Sequence, residues 1–224
     1  MTDRSTGTRM LAGAALACLT LAGCSDPTAD LESGDADETV QALRRCAKTP
    51  SEQVVERVAA VVSHEDTMVA AEAVRNLGRM DHPKAVRTLT DVAGGKTDRR
   101  SALRQEAVIQ LGRRREARQE VLPVLREILK GDPDPRVRGA AAVSISRQRS
   151  LVDVPLLMET AETETDAVVQ ARAVRAVERL VGLTFGYDPS APKAEREAAL
   201  RRMRRVATRA ASNLNRWRRD GQRE

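Results

Sequence analysis

The chain has 224 residues, enough for one extended domain, and a formal net charge of +6. It contains one Phe, one Tyr and one Trp, whereas the helix formers Ala, Arg, Leu and Glu are abundant. A compact core built around aromatic side chains is therefore not expected, and apolar burial has to come from Ala, Val and Leu along an elongated helical body.

The first 23 residues have the pattern of an export signal. Arg4 and Arg9 precede a short apolar run over residues 10–21, too short to span a bilayer. The ending Leu21-Ala22-Gly23-Cys24 resembles a bacterial lipobox. That resemblance implies cleavage before Cys24, lipidation of Cys24 with palmitate-like chains, and a membrane-anchored protein of the bacterial cell envelope that faces the periplasm or the exterior. An uncleaved anchor, or a signal cut elsewhere, are the alternatives.

Residues 25–36 are polar and acidic and show no apolar periodicity, which predicts a flexible tether over 24–36 together with the lipidated cysteine. Such a tether would hold the folded body about 20 Å from the lipid surface. Cys18 leaves with the signal and Cys24 is blocked, so Cys46 is the remaining thiol. Neither His64 nor His82 stands in a recognisable catalytic arrangement with it, and we interpret Cys46 as a buried helix residue.

Two helices are predicted next, over residues 38–48 and 51–63, because apolar residues recur there at helical spacing. Pro50 separates them, since proline fits a first helical turn and disfavours helix in the residue before it. This pair is expected to cap one end of the structure that follows.

Four stretches then repeat one pattern, beginning at Val69, Leu103, Val137 and Val169, with spacings of 34, 34 and 32 residues. Each stretch is preceded by a residue at a helix-start position: Asp66, Arg100, Asp134 and Asp166. Aspartate there accepts hydrogen bonds from first-turn amides. A companion helical segment lies before each of the later stretches. The period predicts stacked helical hairpins over residues 37–184, an α-solenoid with a shared core.

Asp134-Pro135-Arg136-Val137-Arg138-Gly139-Ala140-Ala141 resembles the core motif of HEAT repeats, especially the short type found in phycobilisome lyases. The resemblance covers residues 37–182 and departs at Ala70 and Gln170, where the family has the Arg of an inter-repeat bond. It implies a right-handed, all-α, armadillo-like solenoid whose Val-Arg helices line the concave side and bind a protein partner.

We call the first residue of each repeated stretch the repeat anchor. Arginine stands ten residues after every repeat anchor, at Arg79, Arg113, Arg147 and Arg179. With helices about 8–10 Å apart, these side chains form either a basic ladder that binds a partner or a set that complements the helix C-termini. Arg75 and Arg175 are further candidates on exposed positions of the same helices. Equivalent Glu72 and Glu106 lie too far apart across repeats for an acid-base pair around a closed pocket.

Phe185 and Tyr187 fall in one short loop after the last repeat and either cover the open end of the stack or contact a partner. The region 185–224 continues with a basic helix. From Lys193 to Glu224, eleven Lys or Arg face four Asp or Glu, a local charge of +7 that leaves −1 for the rest. We expect residues 193–219 either to contact anionic lipid or to cap the solenoid.

No phosphate-binding loop, metal-ligand spacing or nucleophile elbow is present in the sequence. We therefore expect no catalytic residues, cofactor or metal, and interpret the chain as a noncatalytic scaffold with a protein partner. The alternatives are a HEAT-like enzyme, since that resemblance includes bilin lyases and alkylpurine DNA glycosylases, or a binder of anionic membranes or polymers through the basic helix. Nucleic acid is not expected, because export separates the protein from the chromosome.

Overall fold

The structure, a computed structural model, describes residues 26–97 and 99–220, with the side chains of 208 and 210–220 left out. The signal segment and Cys24 lie outside the described residues. Within them the chain is all helical: α1 (Ala36–Cys46), α2 (Glu52–Val61), α3 (Thr67–Leu77), α4 (Pro83–Ala93), α5 (Ser101–Leu111), α6 (Arg118–Gly131), α7 (Pro135–Arg147), α8 (Val154–Thr163), α9 (Ala167–Val181) and α10 (Lys193–Asp220). Short 3₁₀ helices cover Ala29–Glu32 and Leu151–Asp153.

The predicted helix starts are confirmed where aspartate provides the cap. The carboxylates of Asp66, Asp134 and Asp166 accept hydrogen bonds from first-turn amides of α3, α7 and α9. Arg100, at the fourth such position, makes no side-chain cap to α5. It reaches back instead to the end of α2, where its guanidinium donates to the carbonyls of Val62, at 3.1 Å, and His64, at 3.0 Å. This position therefore joins neighbouring repeats.

The helices pair into hairpins, α2 with α3, α4 with α5, α6 with α7 and α8 with α9, and the hairpins stack in chain order. Helices α1, α3, α5, α7 and α9 form an inner layer, and α2, α4, α6 and α8 form an outer layer. Neighbouring inner helices contact each other more extensively than neighbouring outer helices do, so the stack curves toward the inner layer. The predicted α-solenoid of helical hairpins is confirmed.

One core runs through the whole stack and consists of Val, Leu and Ala side chains from both layers. Close approach of the inner helices depends on small residues at their ends. A Cβ added at Gly112 would lie 2.4 Å from Ser144 Oγ of the next repeat, and one at Gly78 would lie 2.4 Å from Gln110 Oε1. Glycine is therefore required there by the adjacent repeat and not by the backbone conformation.

The segment 26–33 is not the flexible tether that we predicted, because it packs on the first two helices. Leu31 is buried, and the Cys46 thiol donates a hydrogen bond to the Pro27 carbonyl at 3.2 Å. Arg57 of α2 forms an ion pair with Asp26 at 3.2 Å. Ion pairs and one leucine hold this segment, and such a combination has no apolar periodicity to reveal it. Cys46 itself is buried, as predicted.

Helix α10 packs against α8 and α9 at the far end of the stack. Ala199, Met203 and Ala207 are buried in that contact, so at least the first half of α10 covers the end of the solenoid. Its Arg204 forms an ion pair with Glu162 of α8. Among the described residues, no helix is long and apolar enough to cross a membrane.

Candidate interaction surface on the inner layer

The inner layer presents equivalent positions of successive repeats side by side. Ten residues after each anchor lie the four predicted arginines, and six residues after each anchor lie Arg75, Ile109, Val143 and Arg175. Three residues after the anchors lie Glu72, Glu106, Ala140 and Arg172. The acidic members of this last set belong to the first two repeats, and the basic member belongs to the last. The inner surface therefore changes in charge along the stack.

In the first repeats the arginines are neutralised by Glu72. Its carboxylate is 8% exposed and accepts from Arg75 Nε at 2.7 Å and from Arg79 Nη1 at 3.2 Å. Burial favours the neutral acid, but the hydrogen bonds and charges of Arg75 and Arg79 outweigh it and lower the pKa of Glu72 below its usual value. Arg75 also lies 3.8 Å from Glu106. Arg75 and Arg79, two of the predicted partner-binding residues, are thus engaged inside the protein.

In the later repeats the corresponding arginines have no carboxylate partner among the described residues. Arg113 donates to Gln110 Oε1 at 3.3 Å, and Arg179 donates to Ser146 Oγ at 3.0 Å. Burial, followed by the like charges of Arg113 and Arg179, lowers the pKa of Arg147. Three positive side chains are therefore held near one another without neutralisation. The hydrogen bonds of Arg113 and Arg179 go to side chains and not to helix C-terminal carbonyls. Arg147 and Arg179 stand in the last turns of α7 and α9, where a cation also complements the helix dipole.

Arg147 and Arg179 border a cleft of about 510 Å³ at the C-terminal ends of α5, α7 and α9. The cleft is lined by Arg115, Ser146, Arg147, Arg149, Leu151, Arg179 and Leu180. Sequence analysis missed Arg115 and Arg149, because both lie in turns outside the helical period. Arg115 Nε donates to the Arg147 carbonyl at 3.2 Å, which fixes its position across the repeat boundary. We call the set Arg113, Arg115, Arg147, Arg149 and Arg179 the arginine cluster.

The carboxylates that are close in sequence to the arginine cluster form ion pairs or hydrogen bonds with other residues. Glu116 lies 2.6 Å from Arg114 Nε, Asp153 accepts from Arg126 at 2.6 Å, and Glu178 accepts from the Phe185 amide at 2.7 Å. The arginine cluster is consequently a part of the inner layer where positive charge is left for a binding partner.

The remaining candidates differ in their accessibility. Arg175 is exposed on α9. Phe185 is 5% exposed and joins the core, so its ring is removed from the predicted partner-binding set and covers the end of the stack instead. Tyr187 is half-buried and its hydroxyl donates to Gln170 on α9, while burial raises its pKa. The aromatic loop thus closes the last repeat.

Two partly buried ion pairs connect successive repeats and keep the inner helices in place. Arg104 of α5 contacts Asp132 at 2.8 and 2.9 Å, and Arg138 of α7 contacts Glu164 at 2.9 and 3.0 Å. Both arginines directly follow a repeat anchor. Ala70 and Gln170 occupy the equivalent positions in the other repeats, so this bond is present in only part of the stack.

The described residues contain no group of three or more His, Cys, Asp or Glu side chains placed to hold a metal ion. Glu72 is engaged by arginines, which is unfavourable for proton transfer near neutral pH. The predicted lipidation site, Cys24, lies outside the described residues.

Comparison with known proteins agrees with this architecture. Residues 28–102 and 95–178 each match a family described as HEAT repeats. An engineered protein of known crystal structure is similar over 81% of this chain and 95% of its own, with 19% sequence identity and a TM-score of 0.47. Among curated proteins, none matches the sequence. Because the two matched segments span more than half of the chain, and the hairpins stack with the spacing of the sequence repeat, the protein belongs to the HEAT-repeat family.

Proposed function

We propose that the protein is a noncatalytic, lipid-anchored scaffold of the bacterial cell envelope that binds a partner protein on its inner layer. The observation that carries this proposal is the arginine cluster: positive side chains from neighbouring repeats share one surface and have no carboxylate partner among the described residues. Uncompensated charge on a scaffold surface favours association with a surface of opposite charge.

The inner layer has the dimensions of a protein interface. Five helices about 9 Å apart, each about 16 Å long, give a surface of about 700 Å². A standard interface buries about 800 Å² on each partner. A single folded partner, or an extended segment laid across the repeats, therefore fits this surface.

The anchor is proposed from the sequence of residues 1–24, and the packing of the next residues supports a defined arrangement. Asp26 is already held by Arg57, and only Ser25 stands between it and Cys24. Two residues span at most about 7 Å. Lipid on Cys24 would thus hold the α1 end of the stack close to the bilayer, rather than about 20 Å away as a free tether would.

Chemical cross-linking in intact envelopes, followed by purification of the full chain, tests the scaffold. We expect one specific protein partner to be recovered, with cross-links to inner-layer residues. Recovery of none, from correctly folded protein, would refute the proposal. Incorporation of a clickable fatty acid, present in the natural chain and lost in Cys24→Ala, tests the anchor separately.

Contact of residues 193–219 with anionic lipid is a second candidate. Arg205 and Arg209 are exposed on α10, and no ion pair of theirs is among the described contacts. This helix lies at the end of the stack opposite to α1, so both ends would meet one membrane only if the solenoid lay flat on it. Sedimentation of the Cys24→Ala chain with anionic but not neutral vesicles would support this arrangement, and its absence at low salt would exclude it.

A further inference from the structure

We propose that the cleft bordered by Arg115, Arg147, Arg149 and Arg179 is the site at which the partner is recognised, and that it takes an acidic peptide segment carrying an apolar side chain between its carboxylates. The inference rests on the proposed scaffold function and specifies the chemistry of the partner. A carboxylate-bearing segment matches both parts of the lining, the guanidinium groups around the cleft and the leucines in it.

The guanidinium groups are available for a ligand. Ion pairs neutralise Arg75 and Arg79 in the earlier repeats, whereas the described carboxylates near the cleft are engaged by other donors. Each guanidinium has five donors in a planar fork, and the hydrogen bonds of Arg115 and Arg179 use only part of that capacity. The remaining donors suit carboxylates, which accept two parallel hydrogen bonds from such a fork.

The backbone at Arg149 gives independent support. Arg149 has φ of 52°, and it is the non-glycine residue with positive φ among the described residues. It lies two residues after the end of α7, next to the C-cap Gln148, a position where glycine is usual because side chains are strained in the left-handed region. At the end of α9 the corresponding left-handed residue is Gly182. An arginine held in this conformation places its side chain in the cleft at the expense of backbone strain.

The apolar part of the lining distinguishes a peptide from a small anion. Leu151 is 37% exposed, and Leu180 is half-buried beside it. A volume of about 510 Å³ exceeds what a single phosphate would fill. A phosphate would leave both leucines in contact with water, whereas an apolar side chain next to two carboxylates would cover them. Charge complementarity together with this apolar floor favours an acidic segment of a protein.

Binding is measured by fluorescence anisotropy of a labelled peptide in which Glu alternates with Leu, added to the full chain in mild detergent. We expect Kd to rise at least tenfold in the double variant Arg147→Gln with Arg179→Gln. The matched control is Arg87→Gln with Arg118→Gln, which removes the same charge from exposed positions of the outer layer and should leave Kd within twofold. Equal weakening by both double variants would overturn the proposal, because it would indicate nonspecific attraction.

A second variant distinguishes loss of peptide binding from loss of folding. Arg149→Gly removes a guanidinium but also relieves the left-handed strain, so we expect weaker peptide binding with an unchanged or higher urea midpoint. Unchanged binding would contradict the role of Arg149. Competition completes the test: the Gln-for-Glu peptide should not compete, and inorganic phosphate should compete only at far higher concentration than the acidic peptide. Competition by phosphate at equal concentration would mean a small-anion site and overturn the proposal.

The cross-linking experiment separates this inference from the scaffold function. If the natural chain captures a partner and the Arg147→Gln, Arg179→Gln variant captures it equally well, the partner is recognised elsewhere and only the present inference fails. If the natural chain captures none while it binds the acidic peptide as expected, the scaffold proposal fails and the cleft chemistry stands.

Discussion

The partly buried pair between Arg138 and Glu164 allows a sharp test of how the repeats are held together. The change is Glu164→Gln, which removes the charge but keeps a carbonyl oxygen. Glu164 Oε1 accepts from the amides of Thr165 at 2.9 Å and Asp166 at 3.1 Å, and the glutamine oxygen can retain these bonds. The variant therefore isolates the ion pair with Arg138, whose side chain is 17% exposed against 10% for Glu164.

The expected loss of unfolding free energy in Glu164→Gln follows from the pKa of Glu164. The hydrogen bonds and charge of Arg138, with smaller contributions from the Asp166 and Thr165 amides, outweigh the effect of burial and lower this pKa from 4.5 to about 2. Since one pKa unit corresponds to about 1.4 kcal/mol, the ionised form is favoured by roughly 3 kcal/mol in the folded state. We expect Glu164→Gln to lower the free energy of unfolding at pH 7 by about 2–3 kcal/mol. This is less than the roughly 3–5 kcal/mol for losing one partner of a fully buried pair, because this pair is partly exposed and the amide hydrogen bonds remain.

The stabilisation by this ion pair should decrease as the pH falls. Because the folded-state pKa lies below the unfolded value, this stabilisation is fully present above pH 4.5 and is lost as the pH falls toward 2. Urea unfolding followed by circular dichroism should therefore show a large difference between the natural chain and the variant at pH 7 and a small one near pH 2. The control is Glu159→Gln, an exposed position on α8. A loss below 0.5 kcal/mol at pH 7, or one independent of pH, would refute the reasoning.

Three further predictions concern packing, the N-terminal segment and the arginine cluster. Gly112→Ala should cost about 1–3 kcal/mol in urea unfolding, because the new Cβ meets Ser144 Oγ at 2.4 Å; Gly131→Ala, which meets nothing within 4 Å, should be neutral. Cys46 should resist alkylation at pH 8 until urea is added, since burial raises its pKa and the thiol contacts Pro27. Rapid labelling of Cys46 without urea, located by mass spectrometry, would instead support a flexible N-terminal tether. Arg147→Gln should raise the urea midpoint at low salt, because burial and two like charges disfavour this cation, and the gain should shrink with added salt.

Sequence reasoning predicted those parts of the fold that local chemistry determines. The caps at Asp66, Asp134 and Asp166 depend on one side chain and the amides of its own first turn. The hairpins depend on an apolar period that repeats along the chain. Arg100 occupies the same position in the repeat, but its role could not be read locally, because its hydrogen-bond acceptors lie 36 and 38 residues away.

The candidate site was predictable only in part, because its contacts also join residues that are distant in sequence. Periodicity identified Arg79, Arg113, Arg147 and Arg179 as equivalent, yet it could not show that Glu72 neutralises the first of them. Whether an arginine of this set is neutralised depends on which side chains face each other across repeats. Arg149 escaped notice because its contribution depends on a left-handed backbone conformation, which neither its residue type nor its spacing predicts.

Arginines with and without carboxylate partners occupy different parts of the stack. Arg104 and Arg138 bind carboxylates between repeats, where a buried cation without a partner would destabilise the fold. Arg147 and Arg179 lie on the same helical layer but lack such partners among the described residues, and the repulsion between them is a cost that the continuous apolar core offsets. An anionic partner of the kind proposed above would neutralise these arginines and would contact the strained Arg149 in the same cleft.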